Sequence, residues 1–453
     1  MIYQIKKLIK KMTPDFVISW YHYFLVFLAA FIYHFPSRHL VVIGITGTKG
    51  KTTVAELLSA FLEKIGEKTA MINSLRFKLA EKSWPNKLKM TMPGRFFVQR
   101  FLHRAWCRKI RYAILEVTSE GIKQHRHKFI DFDLAVLTNL QPEHLEAHGS
   151  LEKYRQAKEK LFAALGSRQK KIQIFDPVGK FETTIKKASV VNVDDGAASH
   201  FLKYPTQKKI GFGLKNKDGE INYLIQPRNY SFTKDGISFE LEGLKFSSPL
   251  KGEFNLFNIL AAIAAARALD IPLTIAKEAV AGFDGLPGRL EEIKEGQNFK
   301  VYVDYAHTPD SLIAIYETLR REAPKGIAKI ISVLGATGGG RDKWKRPLMG
   351  KIASQYCDEI IITNEDPYDE NPRKIMEEIA VGLKLAKHPF RIIEDRREAI
   401  AEGLKLCQNG DCFVITGKGS EQVIVVKGGQ KMSWDDRRVV KEELQKMRRH
   451  ETI

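Results

Sequence analysis

The sequence predicts an α/β protein made of two doubly wound domains, preceded by a short helical segment. An apolar, β-branched run at 40–46 enters a glycine-rich loop and then a helical pattern at 54–65. Strands and helices alternate after it, and a second alternation follows the Gly-Leu-Pro-Gly sequence at 285–288. Such alternation implies a mostly parallel sheet with helices on both faces. The predicted units are 1–36, 37–287 and 288–453.

The first unit, 1–36, is predicted to be a basic and aromatic helical segment. Lys6, Lys7, Lys10 and Lys11 precede a Thr-Pro helix start, and residues 16–35 are rich in aromatic side chains and carry no formal charge. This length would just span a bilayer, but the lysines would hold the N-terminus inside and place the rest of the chain outside. We therefore expect a helix lying on an anionic membrane surface. The alternative is a helix packed on the protein's own core or on a second subunit.

Net charge and cysteine content limit the classes of binding partner and the cellular compartment that the sequence suggests. The formal net charge of +20 favours anionic partners, namely a nucleotide, a phosphorylated substrate or an anionic membrane. Nucleic acid is excluded as the preferred partner because no RNA- or DNA-binding motif accompanies this charge. The four cysteines are scattered, which is typical of reduced thiols in the cytoplasm.

Residues 40–53, LVVIGITGTKGKTT, form a strand followed by a phosphate-binding loop. Glycines let backbone N–H groups approach phosphate, Lys51 adds a charge, and a following hydroxyl can hold Mg²⁺. Ile45 stands where the strict P-loop pattern has its first glycine. The loop still predicts a nucleoside triphosphate site, so the central unit is a P-loop-containing doubly wound domain. The loop residues expected to contact the nucleotide are Gly47, Thr48, Gly50, Lys51, Thr52 and Thr53.

The remaining elements follow from periodicity. In the central unit we predict strands at 68–72, 111–117, 133–138, 171–175 and 190–193, and helices at 95–109, 151–165 and 255–269. Short alternating segments between 208 and 250, including 221–225 and 237–241, with turns at 217–219 and 234–236, predict antiparallel hairpins at the sheet edge. The Rossmann-like C-terminal α/β unit is predicted to have strands at 300–303, 329–334, 359–363 and 412–416, and helices at 311–321, 345–354, 372–385 and 397–406.

Polar clusters follow several of these strands, and ligands of such sheets sit at the carboxyl ends of strands. Glu116 ends the strand at 111–117, and His144 lies shortly after the strand at 133–138. A carboxylate here can hold Mg²⁺ together with a loop threonine such as Thr53. A single strand-end glutamate is more often merely solvated, but two such clusters beside a phosphate loop favour function. In the C-terminal unit, polar loops at 304–309, 335–343, 363–368 and 416–421 predict a pocket for a charged, amino-bearing substrate.

The chain resembles the Mur ligases, most closely the MurE type, which adds the third amino acid to UDP-N-acetylmuramoyl-L-alanyl-D-glutamate. The resemblance runs from about residue 33 to the C-terminus. It rests on ten motifs in family order, at 46–53, 115–126, 138–149, 154–160, 252–258, 288–291, 303–310, 335–347, 363–372 and 417–421. It implies an ATP-dependent amide ligase of peptidoglycan synthesis. A glutamate carboxylate would attack ATP to give an acyl phosphate, and the amine of a free amino acid would then displace phosphate.

The resemblance also implies roles for individual residues, with ATP and Mg²⁺ as cofactors. Lys51 would bind the β/γ-phosphates, Glu116 and His144 would bind metal with Thr53, and Lys158 matches the lysine that the family carbamylates, which would make it a metal ligand. These four residues, Lys51, Lys158, His144 and Glu116, are the expected catalytic set. Further nucleotide contacts would be Asn255, Asn258, Arg289 and Asp304. The acceptor would be held by Thr91, Ser119, Gln124 and Arg126, and the remaining substrate contacts would be His307, Arg341, Asp366, Tyr368, Gly417 and Glu421.

Three departures from the family pattern bear on the substrate. No counterpart of the family's uridine-nucleotide-binding domain precedes the loop at 46, so the UDP moiety binds weakly, meets another chain, or is replaced by a lipid-linked acceptor. Diaminopimelate-adding relatives carry Asp-Asn-Pro-Arg where this chain has Glu-Asp-Pro-Tyr at 365–368, which argues against a preference for diaminopimelate because tyrosine cannot pair bidentately with a carboxylate. Ser420 replaces a family histidine, a milder change.

Two alternatives stay open at this stage. One is another amide ligase of the same superfamily, of the folate polyglutamylating or poly-amino-acid type. The other is a catalytically silent, membrane-associated nucleotide-binding scaffold. Ser119, Gln124 and Arg126 favour the muramoyl substrate over a pterin, and the joint presence of Lys51, Glu116, His144 and Lys158 disfavours the scaffold.

Overall fold

The computed structural model describes residues 13–88, 90–143, 145–165, 170–174, 182–215 and 220–451. The lysines at 6–11, His144 and the turn predicted at 217–219 lie outside the described residues. The strand predicted at 171–175 is described up to Ile174.

Up to residue 287 the described chain has an α/β pattern of strands and helices. The strands are β1 Val41–Thr46, β2 Thr69–Ile72, β3 Arg76–Leu79, β4 Lys82–Pro85, β5 Tyr112–Glu116, β6 Leu134–Leu137, β7 Lys170–Ile174, β8 Glu182–Lys186, β9 Ala188–Asn192, β10 Lys208–Phe212, β11 Tyr223–Ile225, β12 Arg228–Thr233, β13 Gly236–Leu241 and β14 Leu244–Ser248. The helices are α1 Asp15–Ile32, α2 Lys51–Lys64, α3 Arg95–Cys107, α4 Ser119–Lys123, α5 Leu145–His148, α6 Leu151–Leu165, α7 Ala198–Leu202, α8 Glu253–Ala268 and α9 Leu273–Ala281.

A nine-stranded sheet organises this part of the chain, in the order β11-β10-β9-β6-β1-β5-β2-β3-β4. Strands β11 through β2 are mutually parallel. Successive residues of β1 point to opposite faces: Ile43 packs in a core with α2, α8 and α9, whereas Val42 packs in a core with α3 and α6. Because β1 lies between β5 and β6, with Ile45 beside Glu116 and Thr46 beside Leu137, the loops after these three strands meet at one edge.

The doubly wound prediction is confirmed, but three details of the sheet differ from it. The segment predicted at 221–225 pairs parallel with β10, so this pair is not an antiparallel hairpin. The strand predicted at 171–175 joins β8 in a separate hairpin, not the main sheet. Strands β3 and β4 were not predicted, because β4 is exposed on both faces and shows no apolar alternation. The β12-β13-β14 meander has the predicted antiparallel pairing.

Beyond residue 287 a second sheet has the order β15-β16-β20-β17-β18-β19 and is parallel apart from β15. Its helices lie on both faces, as predicted. The strands are β15 Glu291–Glu292, β16 Lys300–Val303, β17 Ile330–Leu334, β18 Glu359–Ile362, β19 Arg391–Ile392, β20 Cys412–Ile415, and the hairpin β21 Val423–Val425 with β22 Lys431–Ser433. The helices are α10 Pro309–Glu322, α11 Lys345–Tyr356, α12 Pro372–Leu385, α13 Arg396–Lys405 and α14 Asp436–Glu451.

Helix α1 packs against α3 through small and apolar residues, with Val26, Ala29 and Ala30 buried. Its other side exposes an aromatic stripe at helical spacing, formed by Phe16, Trp20, Phe24, Phe27 and Phe31. Within the described ranges, no helix combines the length and the apolarity needed to cross a membrane.

Candidate active site

The loop between β1 and α2 requires glycine at two positions. Gly47 and Gly50 have positive φ angles of +143° and +83°. A Cβ atom at Gly50 would lie 2.1 Å from Asn258 Oδ1, and one at Gly47 would lie 2.0 Å from Thr138 Oγ1. The strand end at Thr138 and helix α8 therefore close against the loop. Asn258 in turn donates to Asn255 Oδ1 at 3.0 Å, which places both expected nucleotide contacts beside the loop.

Lys51 opens α2 and turns back over the loop. Its Nζ donates to the carbonyl oxygens of Gly47 at 3.0 Å and Thr48 at 2.9 Å. Burial lowers the pKa of this ammonium, and the carboxylates of Glu116 and Glu143 oppose that shift. A lysine in this position offers one positive charge to phosphate oxygens at a helix N-terminus.

Lys158 reaches the same carbonyl from α6. Its Nζ donates to Gly47 O at 2.7 Å and lies 4.5 Å from the centre of the Tyr154 ring. The side chain is almost fully buried, and burial together with the charge of Lys51 holds its pKa well below the ordinary lysine value. Burial therefore favours the neutral amine of Lys158 over the ammonium ion, and the neutral amine is the nucleophilic form.

Side-chain oxygen atoms that could bind a metal ion are clustered around Glu116, which is fully buried at the end of β5. The Ser74 hydroxyl lies 3.1 Å from Glu116 Oε2 and 3.0 Å from Thr52 Oγ1. Carboxylate and hydroxyl oxygens are the ligands that Mg²⁺ prefers, so these residues fit the ion. Thr53 is also buried in this turn, but the hydroxyl linked to Glu116 is that of Thr52. Among the described residues, no group of three or more His, Cys, Asp or Glu side chains could hold a metal by itself.

Glu143 connects the loop to the C-terminal part of the chain. Its carboxylate accepts from Lys49 Nζ at 2.9 Å and lies 3.2 Å from His307 Nε2. His307 Nδ1 lies 2.7 Å from the carbonyl of Tyr305, so Nδ1 donates the proton. Burial, and next the charge of Lys49, lower the pKa of His307 to about 4, so the imidazole is neutral at pH 7. Sequence reasoning gave no role to Glu143 or Lys49.

The other expected nucleotide contacts lie just beyond residue 288. Asp304 is buried at the end of β16 and accepts from the backbone N–H groups of Leu290 and Ala306, each at 2.6 Å. Burial raises the pKa of Asp304, against the charge of Arg289. The Arg289 guanidinium lies 4.3 Å from the centre of the Tyr305 ring.

The expected acceptor residues lie around α4 and the turn after it. Ser119 Oγ is 3.1 Å from His148 Nε2. Arg126 donates to Gln124 Oε1 at 2.7 Å and to the carbonyl of Met92, the residue after Thr91. The structure thus brings Thr91, Gln124 and Arg126 together on one side of the phosphate loop.

The polar loops of the second sheet converge on Lys418. Its buried Nζ donates to Asp366 Oδ1 at 2.9 Å and to Glu421 Oε2 at 2.6 Å. Burial works against this charge, but Glu421 and Asp366 hold the pKa of Lys418 above its ordinary value. Gly417 is required here because its Cβ would lie 2.4 Å from Glu365 Oε2.

Two arginines near this cluster have different surroundings. Arg346 is fully buried and pairs with Glu370 at 3.0 Å and Glu378 at 2.6 Å, so it is part of the framework. The Arg341 guanidinium lies 5.1 Å from the centre of the Tyr368 ring and is exposed. Arg341 is therefore the cation of this pair that can meet a ligand.

Two family models match most of the chain. Residues 45–266 match the Mur ligase middle domain, and residues 288–419 match the Mur ligase glutamate ligase domain. Relatives named UDP-N-acetylmuramoyl-L-alanyl-D-glutamate–2,6-diaminopimelate ligase include one from Oceanobacillus iheyensis, 34% identical over 92% of this chain and 80% of the relative. One from Syntrophomonas wolfei is 36% identical over 92% of this chain and 81% of the relative.

The chain belongs to the Mur ligase family. Among solved structures, a ligase with the same printed name is 30% identical, with a TM-score of 0.59 over 90% of this chain and 79% of that one. Folylpolyglutamate synthase of Mycobacterium tuberculosis in complex with ADP and AMPPCP has a TM-score of 0.64 at 17% identity, covering 92% of this chain and 95% of that one, which shows a shared fold. As a Mur ligase, this protein is an ATP-dependent amide ligase of peptidoglycan synthesis.

In this Mur ligase, sequence reasoning missed residues that act across the site without belonging to a phosphate-binding pattern. Ser74, which links Thr52 to Glu116, follows β2 in a short loop with no motif of its own. Lys345 is buried close enough to Glu365 and Glu143 for both carboxylates to oppose the lowering of its pKa. Their position in the sequence could have indicated a role, because each of these residues lies in or just after a loop at the carboxyl end of a strand.

Proposed function

We propose that this Mur ligase joins an amino acid to the D-Glu carboxylate of UDP-N-acetylmuramoyl-L-alanyl-D-glutamate. The observation that carries the proposal is the convergence on one phosphate loop of Lys51, Lys158 and Glu116, with Arg126 on one side and the Glu143–His307 contact on the other. This arrangement supports a site in which a nucleotide, an acidic acceptor and an amine meet. The muramoyl acceptor itself rests on the relatives and on Ser119, Gln124 and Arg126.

The chain's residues support each step of acyl transfer. The D-Glu carboxylate attacks the γ-phosphorus of ATP, which releases ADP and leaves an acyl phosphate. Lys51 neutralises charge that spreads over the phosphoryl oxygens, and the backbone N–H groups of the glycine loop hold them in place. The amine of the second substrate then attacks the acyl carbon, the amine proton leaves, and phosphate departs with one carboxylate oxygen. The carboxylates of Asp366 and Glu421 would bind and orient the incoming ammonium group.

Mg²⁺ would be held by Glu116 and the Thr52 or Thr53 hydroxyl, with His144 as a further expected ligand. Bound there, the ion would neutralise phosphate charge. We also propose that Lys158 is carbamylated: its neutral amine attacks CO₂, a carbamate forms, and one proton is released. The product carries a negative charge beside Lys51 and would supply a second set of oxygen ligands.

For the amino acid, we propose weak or no preference for diaminopimelate over lysine. Tyr368 cannot form a bidentate pair with a second carboxylate, and Arg346 is committed to Glu370 and Glu378. Arg341 is the cation that remains beside Tyr368. A strong diaminopimelate preference that Tyr368→Phe leaves unchanged and Arg341→Gln abolishes would contradict this part of the proposal and assign the contact to Arg341.

The function is tested by ADP release with the UDP-linked acceptor and one amino acid at a time. The proposal expects release that needs both substrates and yields the tripeptide by mass, with Lys51→Ala as the inactive matched control. Release that needs a folate acceptor, or release without any amide product, would contradict it.

We further propose that the protein contacts an anionic membrane at the cytoplasmic face through the 1–36 segment. The aromatic stripe on α1 is exposed and follows the four lysines of residues 6–11 in sequence. Aromatic side chains beside a basic segment suit the lipid headgroup region. A dimer formed through the same stripe is the competing outcome.

A further inference from the structure

Two arginines without an acidic partner lie beside α1. Arg95 begins α3, and Arg126 lies in the turn after α4. Within the part of the chain that the structure describes, neither forms an ion pair with a carboxylate, and the Nε atom of each is buried without a hydrogen-bond partner. Burial lowers the pKa of both guanidinium groups, and the charge of Arg95 lowers that of Arg126 further. The two charges are therefore close enough to repel each other.

Among the described residues, the hydrogen bonds and ring contacts of these two arginines are made to neutral groups. Arg126 donates to the Met92 carbonyl and the Gln124 side-chain amide. Arg95 lies 5.8 Å from the centre of the Tyr21 ring and donates to His22 Nδ1. Because arginine can only donate, His22 Nδ1 carries no proton in this contact. These contacts hold the guanidinium groups in place, and, of the groups that the structure describes, only the Glu120 carboxylate, which makes no ion pair with Arg126, partly offsets the charge of Arg126.

Beside its apolar contacts, the seam between α1 and α3 also contains buried polar groups. Gln99 lies one turn beyond Arg95 on the same face of α3 and is 1% exposed. Neither its amide nitrogen nor its amide oxygen has a hydrogen-bond partner among the described residues. The same face continues to His103, whose ring contacts that of Tyr33 at the end of α1. Unsatisfied buried polar groups are costly, which points to a ligand-binding seam.

We propose that Arg95 and Arg126, with α1 as one wall, form an anion-binding subsite for an oxyanion of the acceptor. Two guanidinium groups can each donate paired N–H bonds to two oxygens of a carboxylate or a phosphate, and such an anion would offset the repulsion between them. The inference rests on the proposed function, because Arg126 and Gln124 are the expected acceptor contacts. It adds Arg95 and α1, which lies outside the residues that match the Mur ligase domains, to the acceptor site.

The test is calorimetric binding of UDP-N-acetylmuramoyl-L-alanyl-D-glutamate to full-length variants. Arg95→Gln removes the charge but keeps a donor for His22, and we expect affinity to fall by about 10-fold to 100-fold, the effect of one lost charged hydrogen bond. Arg95→Lys should recover part of the loss. Arg100→Gln, on the exposed side of the same helix, is the matched control and should bind as the wild type does. The KM for ATP should not change in any variant.

A second acceptor identifies the anion. With N-acetylmuramoyl-L-alanyl-D-glutamate, which lacks the diphosphate, a retained effect of Arg95→Gln assigns the subsite to a carboxylate, and a lost effect assigns it to the diphosphate. Unchanged affinity in Arg95→Gln, with a lowered melting temperature, would overturn the inference. Arg95 would then have only the structural role of holding α1 against α3. If the wild type itself neither binds nor ligates this acceptor, the proposed function fails, and this inference fails with it.

Discussion

At the scale of single residues, the site depends on lysines whose charge is set by burial. Lys51 and Lys158 share the carbonyl of Gly47 as acceptor, at 3.0 Å and 2.7 Å. Two ammonium groups so close in a buried site repel each other, and the more deeply buried Lys158 is the one whose pKa falls furthest. This difference in burial agrees with the proposal that Lys51 binds phosphate as a cation and that Lys158 is carbamylated through its amine.

Replacing Lys158 by alanine should lower the rate of ADP release at least about 100-fold, because the carbamate ligand is lost. Small carboxylates such as acetate should restore part of the rate by filling the space. Lys160→Ala, an exposed position on the same helix, is the control and should keep full activity. Full activity in Lys158→Ala, or no ¹³C carbamate signal after supply of ¹³CO₂, would show that the lysine is only structural.

His127 makes stability depend on pH. It is 1% exposed, and burial lowers its pKa to about 3. As pH falls below about 6.5, His127 becomes protonated in the unfolded chain but stays neutral in the folded chain. Its contribution to the free energy of unfolding is therefore complete above pH 6.5 and is lost towards pH 3. We expect His127→Phe to recover about 2 kcal/mol of the loss between pH 7 and pH 5, as measured by denaturant unfolding. Parallel pH profiles for the variant and the wild type would contradict this.

Sequence reasoning identified residues that belong to a local pattern and missed those that act by position. The loop glycines and Lys51 follow from spacing within one strand–loop–helix unit. Glu143 was missed because its place in the site depends on its contact with His307, which is 164 residues further along the chain. The lowered pKa of Lys158 likewise comes from burial, which no local pattern of residues shows.

At the scale of elements, apolar periodicity predicted most strands and helices, and pairing partners were harder to predict. Helices 151–165 and 372–385 and strand 300–303 have the predicted bounds. The direction predicted for β11 was wrong because its short alternating sequence is compatible with either a hairpin or a parallel edge strand. Strand β4 was missed because an exposed edge strand carries little apolar signal, and its four-residue partner β3 was missed with it.

Helix α1 should bind anionic vesicles through its aromatic stripe. Each lysine near the surface adds about 1 kcal/mol, so salt should weaken co-sedimentation. Substitution of Trp20 and Phe24 by glutamine should reduce binding without disturbing the buried side of the helix, because these rings stack on each other and are exposed. A chain starting at Pro36 should not bind.

The dimer alternative gives a different result. In that case, the full-length protein should not bind anionic vesicles and should sediment as a dimer. If replacement of Trp20 and Phe24 then made it monomeric, the aromatic stripe would be a contact between two copies of the chain. Aggregation of the chain that starts at Pro36 would also favour a packing role.

At the scale of the whole molecule, two parallel sheets place the carboxyl ends of their strands toward a shared site. Glu143 lies after β6 of the first sheet, and His307 lies after β16 of the second. Lys49 contacts both, at 2.9 Å and 3.5 Å. The contact connects the loops of the second sheet to the phosphate loop of the first. In the proposed reaction, this arrangement would let an acyl phosphate meet the amine before it meets water.

In the proposed reaction, phosphorylation activates the acceptor carboxylate. The direct measurement uses acceptor labelled with ¹⁸O in the D-Glu side-chain carboxylate, with ATP and the amino acid, and follows the released phosphate by mass. The account predicts one ¹⁸O atom in the phosphate for each amide bond formed, because the carboxylate oxygen that attacks phosphorus leaves with it. Amide formation with unlabelled phosphate would contradict the account.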